Sequence, residues 1–325
     1  MEKVEGRNQT PVAEFILLGF GEVPELQPLL FLLFLVIYLV ILSGNLLIVA
    51  LVVADQHLHT PMYFFLGNLA CLETCYTSSV LPRLLASLLT GNRTISVKGC
   101  FVQEYFFGVI SITENFLLAA MSYDRYLAIC NPLRYAALMN GRVCGQLVVG
   151  SWISSLLSCT TVNIFLFQLM FCDSNEIDHF FCDFSPIVKL SCDNTQNLQL
   201  MEFTFATLCI VVPCLLTLVS YICIITTILK IPSTTGRQKA FSTCSSHLIM
   251  VTLFYGTLMA VYVVPTVYTP KVLHKIFSVF YTVLSPMINP FIYCLRNKEV
   301  MECLRKAILI SVAFRNRHRT NFNIS

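Results

Sequence analysis

The stretch Leu29–Val53 reads LLFLLFLVIYLVILSGNLLIVALVV. It holds no charged side chain and only a few weakly polar residues, among them Ser43, Gly44 and Asn45. Roughly 20 consecutive apolar residues span the hydrocarbon core of a bilayer as a helix. A helix is needed there because no water is present to satisfy backbone N–H and C=O groups. Leu29–Val53 is therefore read as a membrane span.

Outward from it, comparable runs recur at about Met62–Leu85, Cys100–Cys130, Val143–Phe171, Leu200–Leu229, Ala240–Val264 and Lys271–Leu295. The expected fold is an all-α membrane protein, a bundle of seven transmembrane helices. Its parts are an outer N-terminus (1–28), the seven-helix domain (29–295) and a cytoplasmic tail (296–325) that opens with a short amphipathic helix. Composition agrees. The 325 residues are 56% hydrophobic and 12% charged, against about a quarter charged in ordinary soluble domains. The mean hydropathy of +0.73 excludes a soluble globular protein.

Basic residues set the orientation, because cytoplasmic loops retain Lys and Arg. With the N-terminus outside, the inner segments hold thirteen basic residues against four acidic ones, and the outer segments eight against twelve. Glu73 and Glu114 fall within spans. The N-terminus is therefore placed outside. It is acidic and carries Pro11, Pro24 and Pro28, so no cleavable signal peptide is expected and the first span serves as its own insertion signal. Phe15–Phe20 is too short to span. The sequons Asn8-Gln9-Thr10 and Asn92-Arg93-Thr94 both lie outside, and Asn8, farther from the bilayer, is the expected glycosylation site.

Of fifteen cysteines, most lie in apolar helices and read as small buried hydrophobes. Cys100, Cys172, Cys182 and Cys192 cluster on the outer side, where an oxidising compartment favours two disulfides. Spacing alone permits three connectivities. A metal site built from His179 and these cysteines is the weaker reading, since a disulfide sulfur offers no thiolate, and none is expected.

Ionisable groups inside a membrane are costly and usually functional. Glu73 and Glu114 lie midway along spans 2 and 3, and His247 lies one to two turns into span 6. One reading is a polar cluster that holds helices together; the sharper one is a Glu114–His247 switch whose pairing differs between two helix arrangements. Asp124-Arg125-Tyr126 closes span 3 at the inner boundary. Asn289-Pro290-Phe291-Ile292-Tyr293 places a proline inside span 7, where it removes a backbone bond and bends the helix.

Together, Asn45, Asp124-Arg125-Tyr126, Trp152 and Asn289-Pro290-x-x-Tyr293 resemble the rhodopsin-like receptor pattern. Five blocks within it resemble the olfactory (odorant) receptors. They are Leu58-His59-Thr60-Pro61-Met62-Tyr63, Met121-Ser122-Tyr123-Asp124-Arg125-Tyr126-Leu127-Ala128-Ile129-Cys130, Ser220-Tyr221, Lys239-Ala240-Phe241-Ser242-Thr243-Cys244 and Pro286-Met287-Ile288-Asn289-Pro290. The likeness runs from about Phe15 to Arg305. Two departures are small: Glu73 stands where the family usually has Asp, and Ser122 where Ala is commoner.

The resemblance implies a multi-pass plasma-membrane receptor for small, mostly apolar volatile molecules. It also implies a stimulatory heterotrimeric G protein as partner, a rise in cyclic AMP, no cofactor and no nucleic acid. It pairs Cys100 with Cys182 and Cys172 with Cys192. It makes Arg125 the coupling residue, held by Asp124 at rest and met by Tyr221 and Tyr293 when active, with Lys239 lining the docking cleft. It puts the ligand pocket about 10–18 Å below the outer end of span 3. There Phe107, Gly108, Ser111 and Ile112 share a helical face with Glu104 and Asn115. Phe205, Ala206 and Cys209 are expected opposite from span 5, Tyr255, Met259 and Tyr262 from span 6, and Thr282 from span 7. Glu104 and Glu202 are expected higher, near the mouth, where they could still attract a cation. The expected ligand is neutral and mostly apolar, with one hydrogen-bonding group held by Ser111 or a tyrosine hydroxyl.

Rival classes find less support. Among enzyme signatures, His-Glu-x-x-His, Gly-x-Ser-x-Gly and a phosphate-cradling glycine loop are all missing from the sequence. A transporter would show two similar halves, and no repeat is visible. The alternative is a non-olfactory rhodopsin-like receptor for another small ligand. Amine receptors of that superfamily carry Asp seven residues beyond the Cys100 position, where this chain has Phe107.

Overall fold

The structure, a computed structural model, describes residues 12–21, 24–172, 174–264, 271–296 and 300–305. Asn8 lies outside the described residues, as do the side chains of Lys239 and Tyr293. Among the described residues, seven long helices form one bundle. They are α1 (Gln27–Ala54), α2 (Pro61–Thr90), α3 (Val97–Cys130), α4 (Gly141–Leu166), α5 (Gln196–Leu229), α6 (Thr234–Leu258) and α7, which runs as Lys271–Val279 and Ser285–Arg296. Wide π-helical turns extend α6 over Met259–Val263 and join the two parts of α7 over Phe280–Leu284.

Five of these helices are long and apolar enough to cross a membrane. α2 and α6 fall short for reasons visible in the sequence. α2 carries Asn68, Glu73, Thr77 and Arg83, and α6 begins with the polar run Thr234-Thr235-Gly236-Arg237-Gln238-Lys239. Their polar residues are tolerated because the bundle covers them: Glu73, Thr77 and His247 are buried. The outward faces of α1, α4 and α5 instead expose rows of large apolar side chains such as Leu32, Val36, Ile153, Leu157, Leu215 and Ile222. Apolar surface on that scale belongs in lipid.

α3 is the central helix and packs against α2, α4 and α5. Its start is fixed by Ser96, whose hydroxyl accepts from the Gly99 N–H at 3.1 Å. α2 ends where Gly91 takes a left-handed φ of 71°, a conformation that suits glycine. α1 and α7 meet closely at Gly44, where a Cβ would stand 2.7 Å from the Pro290 ring. Beyond α7, residues 300–305 are helical with Val300 and Cys303 buried.

The helical bundle is the fold expected, with one addition: an outer cap contains a three-stranded sheet. Glu14–Leu17 (β1) runs antiparallel to Thr94–Ser96 (β2) and parallel to Glu176–Ile177 (β3), with Phe15 opposite Ile95 and Leu17 opposite Ile177. The apolar run from Phe15 serves as a cap strand, with Phe15 and Leu17 buried. One boundary is corrected: the fourth span stops at Leu166 rather than Phe171. Its apolar pattern continues because the next residues pack beneath the cap: Phe171 meets Phe15 edge-on at 5.2 Å, and Phe167 meets Phe101 at 4.9 Å.

Candidate functional site

Two disulfides build the roof of the site. Cys100–Cys182 ties the outer loop to the outer end of α3, and Cys172–Cys192 closes the loop on itself. These are the pairings the resemblance implies. Gln103 reinforces the first by accepting from the Cys182 N–H at 2.9 Å. The next residue, Asp183, is thereby held above the bundle.

Beneath it lies a cavity of about 90 Å³ between α3, α4, α5, α6 and the loop. The α3 face supplies Glu104, Phe107, Gly108, Ser111, Ile112 and Asn115, and Phe205, Ala206 and Tyr262 line it from α5 and α6. Four other residues expected in the lining lie outside it. Cys209 sits behind the wall, its sulfur 4.0 Å from the Ser158 hydroxyl. Tyr255 lies behind Asn115, donating to that residue's carbonyl at 2.7 Å. Met259 packs against the main core. Thr282 turns back to donate to the Ser278 carbonyl at 2.6 Å.

The reason is an aromatic cluster that fills the α2–α3–α7 side. Phe107 lies 4.9 Å from Tyr76, 4.7 Å from Phe181 and 5.9 Å from Tyr281. The open volume is displaced toward α4, whose Ser158, Cys159, Val162 and Asn163 line it together with Phe184 of the loop. Sequence reasoning missed the α4 residues. Their only signal was a run of small polar side chains, common in membrane helices for packing alone.

The cavity is also more acidic than expected. Glu104 and Glu202 are part of its lining, and Asp183 joins them. Burial pushes the Asp183 carboxyl above its ordinary value, against the opposing pull of His274, the Phe184 N–H and the Tyr262 hydroxyl. Tyr262 donates to Asp183 Oδ1 at 3.1 Å and meets the Tyr281 hydroxyl at 2.9 Å. Both tyrosines sit in the π-helical turns of α6 and α7, a local form that recurs at functional positions. Ser278, 3.5 Å from the Tyr281 hydroxyl, continues the network to His179 Nε2 at 3.2 Å.

At the inner end of α3, Arg125 donates to Asp124 Oδ2 through Nε at 2.9 Å and Nη2 at 2.5 Å. Tyr135 donates to the other carboxylate oxygen at 2.7 Å. Tyr221 and His247 Nδ1 are 2.5 Å apart, and Tyr126 packs on the cluster around Tyr221 and Cys244. Farther out, Asn289 donates to Glu73, and Asn45 reaches the Pro286 carbonyl at 3.4 Å.

The expected Glu114–His247 pair does not form: both Glu114 oxygens and His247 Nε2 lack a hydrogen-bond partner, and His247 Nδ1 meets the Tyr221 hydroxyl. The Tyr221 side chain that meets His247 packs with Tyr126, Ile129 and Cys130, which places the imidazole near the inner end of α3. Glu114 stands eleven residues outward along α3 from Arg125, roughly 16 Å along the axis at 1.5 Å per residue. Its electrostatic neighbour is Glu73.

A seven-helix membrane bundle, with an outer cavity roofed by a disulfide-tethered loop and an Asp-Arg-Tyr lock at its inner end, defines a rhodopsin-like receptor. A family model for olfactory receptors matches residues 34–311. Olfactory receptor 5AP2 of Mus musculus is 47% identical over 94% of this chain and 96% of its own length. Olfactory receptor 5G3 of Homo sapiens is 48% identical over 94% and 97%, and olfactory receptor 1M1 of Homo sapiens 46% identical over 94% and 97%. The chain belongs to the olfactory receptor family. It is a multi-pass plasma-membrane receptor for small molecules that acts through a G protein, and not an enzyme.

Proposed function

We propose that the cavity below Asp183 is where this receptor takes its odorant, and that the inner ends of α3, α5 and α6 engage a stimulatory G protein, raising cyclic AMP. The supporting observation is the enclosure of the cavity. Four helices and the loop surround it, and its walls combine aromatic and aliphatic side chains with a few polar groups, as small-molecule sites do. A ligand small enough to fit makes few contacts, so affinity of about micromolar or weaker is expected. On the inner side, Arg125 held by Asp124 is the resting arrangement, and release of Arg125 toward Tyr221 and Tyr293 accompanies coupling.

Gly108 provides the test. A Cβ there would already stand 3.2 Å from the Cys159 sulfur, so a phenyl ring at this position takes up cavity space. Gly108→Phe is expected to raise the half-maximal concentration of every agonist in a cyclic AMP assay while the receptor still reaches the surface. Unchanged responses to all agonists would place the ligand elsewhere. An agonist response that lowers cyclic AMP would refute the stimulatory coupling.

A further inference from the structure

Resting on the assignment of the outer cavity as the odorant site, we propose that this cavity selects a compact primary amine, bound as its ammonium ion between the carboxylates of Glu104 and Asp183. The lining contains three carboxylates, Glu104, Asp183 and Glu202, and among the described lining residues no Lys, Arg or His. Two of the three are built into the wall with an unused oxygen. Glu104 is 8% exposed, stands beside the Asn163 side chain, and its Oε2 has no hydrogen-bond partner. Asp183 is 3% exposed; its Oδ1 is fixed by the Phe184 N–H at 2.9 Å and the Tyr262 hydroxyl at 3.1 Å, while Oδ2 has no partner. The Asn163 amide oxygen is a third buried acceptor without a partner, its nitrogen being used on the Cys159 carbonyl at 3.1 Å. Lys189 and His274 act on Asp183 electrostatically, but neither lines the cavity.

The surplus is therefore of acceptors, and buried acceptors left unmade are costly. A primary ammonium brings three N–H donors and one positive charge, as a lysine side chain does. It can bridge Glu104 and Asp183 by charge-assisted bonds, the stronger kind. An alcohol of the same skeleton offers one donor and no charge, and a carboxylate would add a fourth anion. The hydrocarbon part has Phe107, Ile112, Phe205, Ile210 and Leu258 to lie against, and a cavity of about 90 Å³ restricts it to compact skeletons. A bare metal ion suits the cavity less well, because among the described residues no three His, Cys, Asp or Glu side chains converge closely enough to hold one.

The test uses the full chain counted at the cell surface and a cyclic AMP readout. Small cyclic and branched primary amines are each compared with the alcohol and the carboxylic acid of the same carbon skeleton. Amines are expected to act at half-maximal concentrations at least about tenfold below their alcohols, with the acids silent. Glu104→Gln and Asp183→Asn are each expected to shrink the amine-to-alcohol ratio by about tenfold or more, with Glu202→Gln as a third variant should either fail to reach the surface. Alcohols or acids that match the amines in the unmodified receptor, or a ratio that survives every carboxylate substitution, overturn the amine assignment and leave the receptor reading standing. Silence across the panel also overturns it. An agonist-free signal that vanishes in Arg125→Ala then shows that the receptor reading survives, and the lack of any such signal overturns both.

Discussion

Asp124 uses both carboxylate oxygens at once, one on Arg125 and one on the Tyr135 hydroxyl. With Asp124 at 1% exposure and Arg125 at 18%, this bond is shielded from water and restrains the arginine. A hydrogen bond to a charged group contributes about 1.5–3 kcal/mol, enough to move a two-state equilibrium by about tenfold or more. Asp124→Asn is therefore expected to raise agonist-free cyclic AMP output at equal surface expression; a basal level identical to the unmodified receptor would contradict the lock. The buried polar groups carry a second prediction. Glu114 and His247, separated along the bundle, should behave as independent sites. The effects of Glu114→Gln and His247→Phe on basal activity should add within about 0.5 kcal/mol. Glu73→Gln and Glu114→Gln, whose buried side chains are electrostatic neighbours, should not add. Clear coupling in the first pair, or additivity in the second, would reverse this assignment. Residue type and position along one helix were legible from the sequence. The height of α6 relative to α3 was not, because neither helix's periodicity encodes its register against the other, and that register separates Glu114 from His247.

The outer cap shows the same boundary at the level of elements. The seven helices could be read from apolar runs of bilayer length, yet β1 could not, because a short apolar stretch such as Phe15–Phe20 gains its strand partners Thr94–Ser96 and Glu176–Ile177 only once the bundle has brought them together. The α4 side of the cavity was hidden for a related reason: the aromatic cluster around Phe107 decides which way the cavity leans, and it forms from α2, α3, α7 and the loop. The cap also holds a titratable group. His179 is stacked on Phe180 at 4.7 Å, and Lys275 bridges Gly19 and Asp178 nearby. Burial, then His274 and Lys275, lower the His179 imidazole to about 3, with Asp178 opposing. An undocked imidazole titrates near 6.5, so the docked cap keeps the full benefit of neutral His179 above that pH. The benefit is lost progressively as pH falls from about 6.5 toward 3, on the order of 2 kcal/mol by pH ~5. Hydrogen–deuterium exchange over residues 12–20 and 174–184, corrected for intrinsic rates, should show protection falling between pH ~7.5 and ~5. His179→Gln should flatten that dependence. Equal protection at both pH values in the unmodified receptor would remove the cap from the list of acid-sensitive elements.

Across the whole molecule, the charge asymmetry that orients the chain also divides its chemistry. The outer half holds the acidic cavity, while the inner segments hold the excess of Lys and Arg. Between these ends the bundle interior carries buried polar groups, among them Asn45, Glu73, Glu114, Asn115 and Asn289. A ligand in the cavity can change the inner face only by biasing how the helices are arranged, since a ligand shifts an equilibrium only by its differential affinity for the two states. On the coupling proposed above, Arg125 is the group on which that rearrangement converges. It lies on α3, which lines the cavity through Glu104, Phe107 and Ser111 and ends at the Asp124-Arg125-Tyr126 lock. Around it stand His247 and Cys244 of α6, both within its electrostatic reach, with Tyr221 of α5 bonded to His247. α6 is thus held to the inner end of α3 and α5 by contacts that an outward swing must break, exposing the guanidinium as it does. On that proposed coupling, replacing Arg125 by alanine removes the charge offered to the G protein, and it leaves Asp124 still accepting from Tyr135, so the fold keeps its main contacts there. Arg125→Ala is therefore expected to reach the surface at near-normal levels, to retain the ligand preference of the cavity, and to lose agonist-driven cyclic AMP entirely. Surface labelling and a cyclic AMP reporter in the same cells decide the matter: undiminished output from a well-expressed variant would mean that coupling does not pass through this arginine.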